Sequence, residues 1–157
     1  MGEEQLARQR IKAEELMQAQ EKTYWRNFYA LDTETTGFTK NQPIQIALAR
    51  FEDGVVAESY NQYIFPTCKI EKSGIDTHGL TKEELRKRGA VQWTKAESEK
   101  LVAFLSKFPD LPIVAHNEAY DHWRVLAPAF ERVGNLRALP KKDRWRCTLK
   151  LAKRKLI

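Results

Sequence analysis

Residues 27–37 constrain the fold more than any other stretch, because they join a buried strand to a pair of acids. They read Asn-Phe-Tyr-Ala-Leu-Asp-Thr-Glu-Thr-Thr-Gly, apolar and aromatic at first and then acidic and polar. Side chains alternate between the two faces of a strand, so Asp32 and Glu34 are predicted to point the same way. Two carboxylates on one face are unfavourable unless water or a cation compensates their charge. Two interpretations are open. Water alone compensates the charge if the pair of acids is isolated, or the pair binds a divalent cation such as Mg²⁺ or Mn²⁺, which prefers oxygen ligands.

Length and composition indicate one globular domain. The chain has 157 residues, of which 42% are hydrophobic, enough for a core that folds alone. No apolar run approaches the length of a membrane span, and the N-terminus does not resemble a secretory signal, so we expect no membrane partner. Cys68 and Cys147 are far apart in sequence, and we expect free thiols and a cytoplasmic location.

The net charge of +6 is concentrated at the C-terminus. Residues 141–157 hold eight Lys or Arg and one Asp, a local charge of +7, whereas residues 1–140 sum to −1. A basic stretch that contains an aromatic residue, here Trp145, suits a nucleic-acid backbone. A solvated helical face is an equally good interpretation of the same pattern.

The predicted elements follow the order of an α/β fold. Residues 1–23 are predicted to form a helical N-terminal extension, and residues 24–157 the main domain. Strands at 27–33, 44–51 and 55–65 are predicted to form an antiparallel meander. Helices and short buried strands then alternate, which describes a mixed sheet flanked by helices. The predicted elements of this second half are a helix at 82–88 capped by Thr81, a helix capped by Thr94, a strand at 111–115, a helix at 117–133, a strand at 145–148 and a helix at 149–157.

Two of these helices carry apolar stripes that are predicted to face the core. The stripe of the helix after Thr94 comprises Leu101, Phe104, Leu105 and Phe108. The stripe of helix 117–133 comprises Trp123, Leu126, Ala127 and Phe130.

A second acidic site follows the strand at 111–115. Residues 116–121 read His-Asn-Glu-Ala-Tyr-Asp, and Asn117 and Asp121 share a helical face because they are four residues apart. If this strand lies beside the first one, Asp121 can reach Asp32 and Glu34. Three carboxylates at adjacent strand ends would form a metal site.

Four segments together resemble one family. Residues 31–37, Leu-Asp-Thr-Glu-Thr-Thr-Gly, resemble the first motif of the DnaQ-like (DEDD) 3′–5′ exonucleases. Residues 75–81, Ile-Asp-Thr-His-Gly-Leu-Thr, are similar to the linker element of that family, and residues 114–121 to its second motif. Residues 147–152, Cys-Thr-Leu-Lys-Leu-Ala, resemble the following segment, where the family often has Asp-Thr-Leu. The four elements occur in the family's order.

The resemblance implies a ribonuclease H-like fold and hydrolysis of a 3′-terminal phosphodiester with two divalent cations, Mg²⁺ or Mn²⁺. It implies that Asp32 binds both metals, that Glu34 binds one, and that Asp121 completes the second site. The substrate would be the 3′ end of a single-stranded nucleic acid, with DNA favoured over RNA. The residues implied to bind the terminal nucleotide are Thr35, Thr36, Gly37, Phe38, His78 and Asn117. For His78 and Asn117, hydrogen bonds that cap a helix or a turn are the alternative role, and we expect His116 to be structural and Tyr120 to lie in the core.

The chain departs from the family at its C-terminus. The family carries a fourth carboxylate and a general base on a third motif, His-x4-Asp or Tyr-x3-Asp, whereas this sequence ends at Ile157 before such a motif. We therefore expect the exonuclease domain to be incomplete here, and these 157 residues to have weak activity or none. Two alternatives stay open: an inactive exonuclease fold that binds nucleic acid, and a docking subunit that meets a polymerase or another protein through its N-terminal helix.

Overall fold

The computed structural model of the chain describes residues 3–24 and 26–155. Its α-helices are α1 (Glu3–Tyr24), α2 (Lys72–His78), α3 (Lys82–Lys87), α4 (Lys95–Ser106), α5 (Ala127–Arg132) and α6 (Thr148–Lys155). Its strands are β1 (Phe28–Thr35), β2 (Pro43–Glu52), β3 (Val55–Phe65), β4 (Val91–Gln92), β5 (Ile113–Ala115) and β6 (Trp145–Cys147). A π-helix (Tyr120–Leu126) precedes α5, and 3₁₀ turns span Leu136–Ala138 and Lys142–Arg144.

The strands form a six-stranded sheet in the order β4-β3-β2-β1-β5-β6. The meander β1–β2–β3 is antiparallel, and β5 lies parallel to β1 on its other side. A parallel neighbour requires a long crossover, which the segment with α2, α3 and α4 supplies. The predicted mixed sheet is confirmed. Because β1 and β5 run in the same direction, their C-terminal ends lie at one edge of the sheet, and the acids that follow them meet there.

The central strand β1 is anchored in the main core. Tyr29 and Leu31 are buried among side chains of α4, α5 and β5. The Tyr29 hydroxyl donates to the carbonyl of Phe104 at 2.8 Å, so its buried polar atom is satisfied. This packing fixes the strand that presents Asp32 and Glu34.

A smaller apolar cluster places α2 beside the end of β1. It contains Ile44 of β2, Ile70, Leu80 and Leu85, with Ile75 of α2 packed against it. Neither α2 nor β4 was predicted from the sequence. Thr81 and Thr94 cap α3 and α4 as predicted, by accepting from the amides of Glu84 and Glu97.

Two residues of the predicted helical stripes are not in the core. Phe108 lies beyond the end of α4, and its side chain is 42% exposed. Trp123 is 53% exposed, and His122 is buried in its place. The helix begins with a π-helical segment whose hydrogen bonds join residues five apart, so its first turns are out of phase with the α-helix that we predicted. Leu126 and Phe130 are buried as predicted.

The N-terminal helix α1 exposes every side chain from residue 7 to residue 19. The exposed side chains include Ile11, Leu16 and Met17. Whether a protein partner binds this helix stays a prediction. Among the described residues, no helix is long and apolar enough to cross a membrane.

Part of the basic C-terminal stretch has a structural role. The Arg144 guanidinium donates to the carbonyls of Leu105, Phe108 and Leu111 at 2.6–2.8 Å. Arg146 donates to the carbonyl of Asp143 at 2.6 Å. These bonds hold the segment before β6 against the end of α4, so Arg144 is not a freely available phosphate ligand.

Candidate active site

The first two acids lie at the C-terminal end of β1. Asp32 pairs with Ala47 and Glu34 with Gln45 across the antiparallel ladder to β2. Asp32 is exposed and Glu34 is half-buried. The register shifts just after Glu34, a bulge at the point where the strand gives way to the loop 36–42.

The third acid, Asp121, arrives from the helix after β5. It lies in the first turn of the π-helix, and its side chain is only 4% exposed. Thr33 stands between the two acids of β1 in the sequence, and its hydroxyl donates to Asp121 Oδ1 at 2.6 Å. This contact brings the two acidic segments together, as the position of β5 beside β1 predicted.

The electrostatics of the three carboxylates are coupled. Burial raises the pKa of Asp121 to about 6, the Thr33 hydrogen bond opposes this rise, and the charges of Asp32 and Glu34 add to it. Burial and then the charge of Asp32 raise the pKa of Glu34, while His78 lowers it. The charge of Asp32 therefore makes ionisation of both Asp121 and Glu34 harder, and a bound cation would relieve this repulsion.

Asp32, Glu34 and Asp121 meet the requirements of a metal site only in part. The residues offer carboxylate oxygens, the donors that Mg²⁺ and Mn²⁺ prefer, and their mutual repulsion favours a cation. Within residues 3–24 and 26–155, however, no group of three His, Cys, Asp or Glu side chains is arranged closely enough to hold an ion. One Asp121 oxygen is instead engaged by Thr33. Metal ligation by these three residues stays a prediction.

A pocket of about 180 Å³ opens beside the acids, between the end of β1 and α2. Glu34 lines this pocket, together with four of the predicted nucleotide-binding residues, namely Thr35, Gly37, Phe38 and His78. Ser73, Gly74 and Thr77 of α2 line it too and were not foreseen, because α2 was not predicted as a helix. The pocket is large enough to admit a small ring system next to the carboxylates.

Two aromatic residues form the mouth of the pocket. Phe38 is 79% exposed, and its ring meets that of Tyr120 edge-on, with the centroids 6.5 Å apart. The Tyr120 hydroxyl lies 3.1 Å from the hydroxyl of Thr35 and donates to Asn41 Oδ1 at 3.1 Å. Tyr120 therefore lines the pocket and is not in the core, contrary to the prediction. A hydroxyl-bearing residue directly before Asp121 in the sequence was the signal that could have indicated this position at the pocket.

His78 is fixed by hydrogen bonds at both ring nitrogens. Its Nδ1 accepts from the amide of Leu80 at 3.0 Å, so Nδ1 carries no proton. Its Nε2 must then carry the proton and donate to the carbonyl of Thr35 at 3.0 Å. The ring thus holds α2 against the end of β1 and lines the pocket, and neither nitrogen is free to act as a base in this arrangement.

The family model described as "Exonuclease", of the RNase T type, matches residues 29–156. The chain belongs to the DnaQ-like exonuclease family. The match begins in β1, covers both acidic segments and the whole sheet apart from Phe28, and so agrees with the four sequence motifs.

The proteins that this exonuclease domain resembles are longer than this chain. The chain is 30% identical over 97 residues to the DNA polymerase III PolC-type protein of Thermotoga petrophila, a match over 60% of this chain and 7% of that protein. It is similar in fold to the zinc-bound E. coli ExoI–ssDNA complex, with a TM-score of 0.64, 18% identity, and coverage of 83% and 30% of the two chains. A 3′-exonuclease described in 3′-end specific recognition of a histone mRNA stem-loop gives a TM-score of 0.55 at 13% identity, covering 84% and 52%. The chain thus spans less than two thirds of the length of each protein, and the structural matches establish the ribonuclease H-like exonuclease fold.

Two of the predicted nucleotide-binding residues of this exonuclease domain lie outside the pocket lining. Thr36 is buried, and its hydroxyl accepts from the amide of Gln42 at 3.2 Å. Asn117 has a left-handed backbone (φ 65°), and its carbonyl accepts from the amide of Tyr120. Both residues shape turns that carry other site residues. His116 bonds Thr148 through Nδ1 at 2.9 Å, which agrees with a structural role.

Proposed function

We propose that this chain hydrolyses single-stranded DNA from its 3′ end, as the exonuclease module of its protein. The observation that carries the proposal is that the charges of Asp32 and Glu34 oppose ionisation of Asp121 on a converging segment. Glu34 also lines a pocket with an exposed aromatic residue at its mouth. Membership of the exonuclease family supports the reaction class. DNA is the proposed substrate because the polymerase relative and the ExoI complex are both named for DNA.

The proposed metal ligands are Asp32, Glu34 and Asp121, which would hold two divalent cations, Mg²⁺ or Mn²⁺. When bound, such cations stabilise the attacking and leaving oxygens of an in-line displacement and supply hydroxide near neutral pH. Asp32 would contact both cations, Glu34 one, and Asp121 the other. The elevated pKa of Asp121 supports this role, because a buried carboxylate whose ionisation two other carboxylates oppose is stabilised by a nearby positive charge.

The pocket is proposed to hold the terminal nucleotide. The backbone of residues 35–37 would contact its sugar and phosphate, and the exposed ring of Phe38 would stack on its base. Stacking accepts any base, which suits an enzyme that removes nucleotides one after another. The hydrogen-bonded ring of His78 would form one wall of the pocket rather than accept a proton.

Two further proposals concern the partners and the location. The exposed helix α1 would contact a polymerase or another protein, since a polymerase is among the relatives. A cytoplasmic location agrees with the two free cysteines, Cys68 and Cys147.

The experiment is degradation of a 5′-labelled single-stranded DNA oligonucleotide with Mn²⁺, resolved on a denaturing gel. We expect a 3′-shortening ladder that slows at least about 100-fold in Asp32→Ala, because a metal ligand is lost. Asp53→Asn is the matched control: this acid is exposed in the distant β2–β3 turn, and Asn tolerates its left-handed backbone. A slow ladder suffices, provided that it depends on Asp32.

Two results would overturn the proposal. A ladder that is equally fast in Asp32→Ala would mean that the activity is a contaminant. No ladder at all, with salt-sensitive binding of the oligonucleotide retained, would mean that the chain is a nucleic-acid-binding module without catalysis. An RNA oligonucleotide of the same sequence, run in parallel, tests the choice of DNA.

A further inference from the structure

A glutamate outside the acidic motifs, Glu71, contacts the loop that carries Phe38. It occupies the N-cap position of α2, yet its side chain makes no cap hydrogen bond to that helix. Instead, its Oε1 accepts from the amide of Thr39 at 2.9 Å. The carboxylate therefore bonds the backbone next to Phe38, across 32 residues of sequence.

The backbone of Glu71 is bonded to the same loop. Its amide donates to the carbonyl of Thr36 at 2.7 Å. Between these two bonds lies Gly37, where a Cβ would stand only 2.3 Å from Glu71 Cδ and where φ is +140°. Glycine is required at this position both for the backbone conformation and for the close approach of the glutamate. The loop and the glutamate are thus fitted to each other from Thr36 to Thr39.

A second contact holds the opposite end of the loop. Tyr120 bonds Asn41 through its hydroxyl and touches Phe38 through its ring. Phe38 thus lies between two attachments, one to α2 through Glu71 and one to the helix of Asp121. Apart from its edge contact with Tyr120, its ring is left largely exposed at the mouth of the pocket.

The charge of Glu71 would otherwise oppose binding of an anion. Hydrogen bonds from the side chain and amide of Thr39 hold the pKa of Glu71 below its usual value, so the group is ionised at neutral pH. A carboxylate near a nucleotide pocket repels phosphate unless hydrogen-bond donors of the protein compensate its charge. Here the backbone amides of the loop compensate the charge of Glu71.

We propose that Glu71 is a positioning residue that holds the loop 36–42 in place, so that Phe38 is presented to the terminal base of the substrate. The holding of the loop depends only on the contacts above, whereas the role in substrate binding rests on the proposed function. Glu71 acts through Phe38 and touches no reacting atom.

Limited trypsin digestion tests the loop directly, because Lys40 lies within it and is exposed. Cleavage after Lys40, followed by mass spectrometry of the fragment that begins at Asn41, reports opening of the loop. We expect the cleavage rate to rise about tenfold in Glu71→Ala. It should stay near that of the wild type in Glu71→Gln, whose amide oxygen can still accept from Thr39. Glu99→Ala, at an exposed position of α4, is the matched control.

Substrate binding tests the role of the loop. The probe is single-stranded DNA with 2-aminopurine as its 3′-terminal base, whose fluorescence falls when the base stacks on an aromatic ring. In EDTA, we expect the quenching to be lost in Phe38→Ala and reduced in Glu71→Ala, and to be retained in Glu71→Gln. With Mn²⁺, KM should rise about tenfold in Glu71→Ala and kcat should change less than about twofold, because the loop contributes binding and not chemistry.

The outcomes separate the two proposals. Equal cleavage after Lys40 in wild type and Glu71→Ala would overturn the holding of the loop. Faster cleavage with unchanged quenching and KM would overturn the role of Glu71 in substrate positioning. If the wild-type chain neither binds nor shortens the oligonucleotide, the proposed function is overturned and the substrate role of Glu71 with it, while the digestion still decides whether Glu71 holds the loop.

Discussion

The hydroxyl of Thr33 donates a 2.6 Å hydrogen bond to the carboxylate of Asp121, 88 residues away. It joins the strand of the first acidic motif to the helix of the second. Because Thr33 adjoins both Asp32 and Glu34 in β1, this bond holds Asp121 at the end of the strand that carries the other two acids. The position of Asp121 in the candidate site thus depends on a residue that is not one of the three predicted metal ligands.

Thr33→Val should therefore weaken both the fold and the site. The substitution keeps the shape of the side chain but removes a hydrogen bond to a charged group, which typically costs about 1–3 kcal/mol of unfolding free energy. Urea denaturation in EDTA at pH 7.5 measures the change. Thr33→Ser, which keeps the hydroxyl, is the control; equal stability of the Val and Ser variants would contradict the importance of this bond.

Asp121→Asn should stabilise the metal-free protein at neutral pH. The pKa of Asp121 is about 6 in the folded state against an ordinary value of 3.8, so folding favours the protonated form. This contribution to stability is full below about pH 3.8 and is lost as the pH rises through about 6. Above pH 6, Asn should exceed the wild type by at most about 3 kcal/mol, since it is neutral and its amide oxygen can still accept from Thr33.

The measurement is the difference in unfolding free energy between Asp121→Asn and wild type, in EDTA, from pH 4 to pH 8. The difference should grow with pH and level off above about pH 6, where the carboxylate is ionised. The other titrating groups contribute equally to both proteins, so their contribution cancels in this difference. A difference that is constant across this range would mean that burial does not disfavour the ionised carboxylate.

Divalent cations should offset this advantage of Asp121→Asn. A cation that binds only the folded state raises the unfolding free energy by about 2.7 kcal/mol at 100 times its Kd. Thermal melts with increasing Mn²⁺ should show a rise in Tm for the wild type, and a much smaller rise for Glu34→Gln and Asp121→Asn. Glu99→Gln, at an exposed site on α4, should respond like the wild type. An equal response of all four proteins would argue against metal binding by these acids.

Arg144 should matter for stability rather than for nucleic-acid binding. It donates to three backbone carbonyls, of Leu105, Phe108 and Leu111. Arg144→Ala should lower the unfolding free energy by about 2–4 kcal/mol, and Arg144→Lys nearly as much, because one ammonium nitrogen cannot take the places of both Nε and Nη2, which bond these carbonyls. Lys141→Ala, at an exposed site, should change it by less than about 0.5 kcal/mol.

Oligonucleotide binding separates the two roles of Arg144. Under conditions where all variants are folded, the salt dependence of binding should be the same for Arg144→Lys and wild type. A structural role requires that the stability falls in Arg144→Lys although the charge is kept. Full stability of Arg144→Lys would contradict it.

Local sequence patterns determined much of this protein. Alternation along 27–37 placed Asp32 and Glu34 at the end of a buried strand, and turn residues delimited the three strands of the meander. The order of strands and helices indicated the mixed sheet, and caps at Thr81 and Thr94 marked the starts of α3 and α4. These features follow from periodicity and backbone preference, which act over a few residues.

Tertiary structure alone decided how the site is assembled. Three contacts assemble it: Thr33 with Asp121, Thr35 with Tyr120, and Thr39 with Glu71. Each contact joins residues that are 32 to 88 positions apart in the sequence. The π-helical start of the helix also changed which of His122 and Trp123 is buried. Contacts of this kind depend on how the elements pack together, and that packing leaves no periodic trace in the residues that make them.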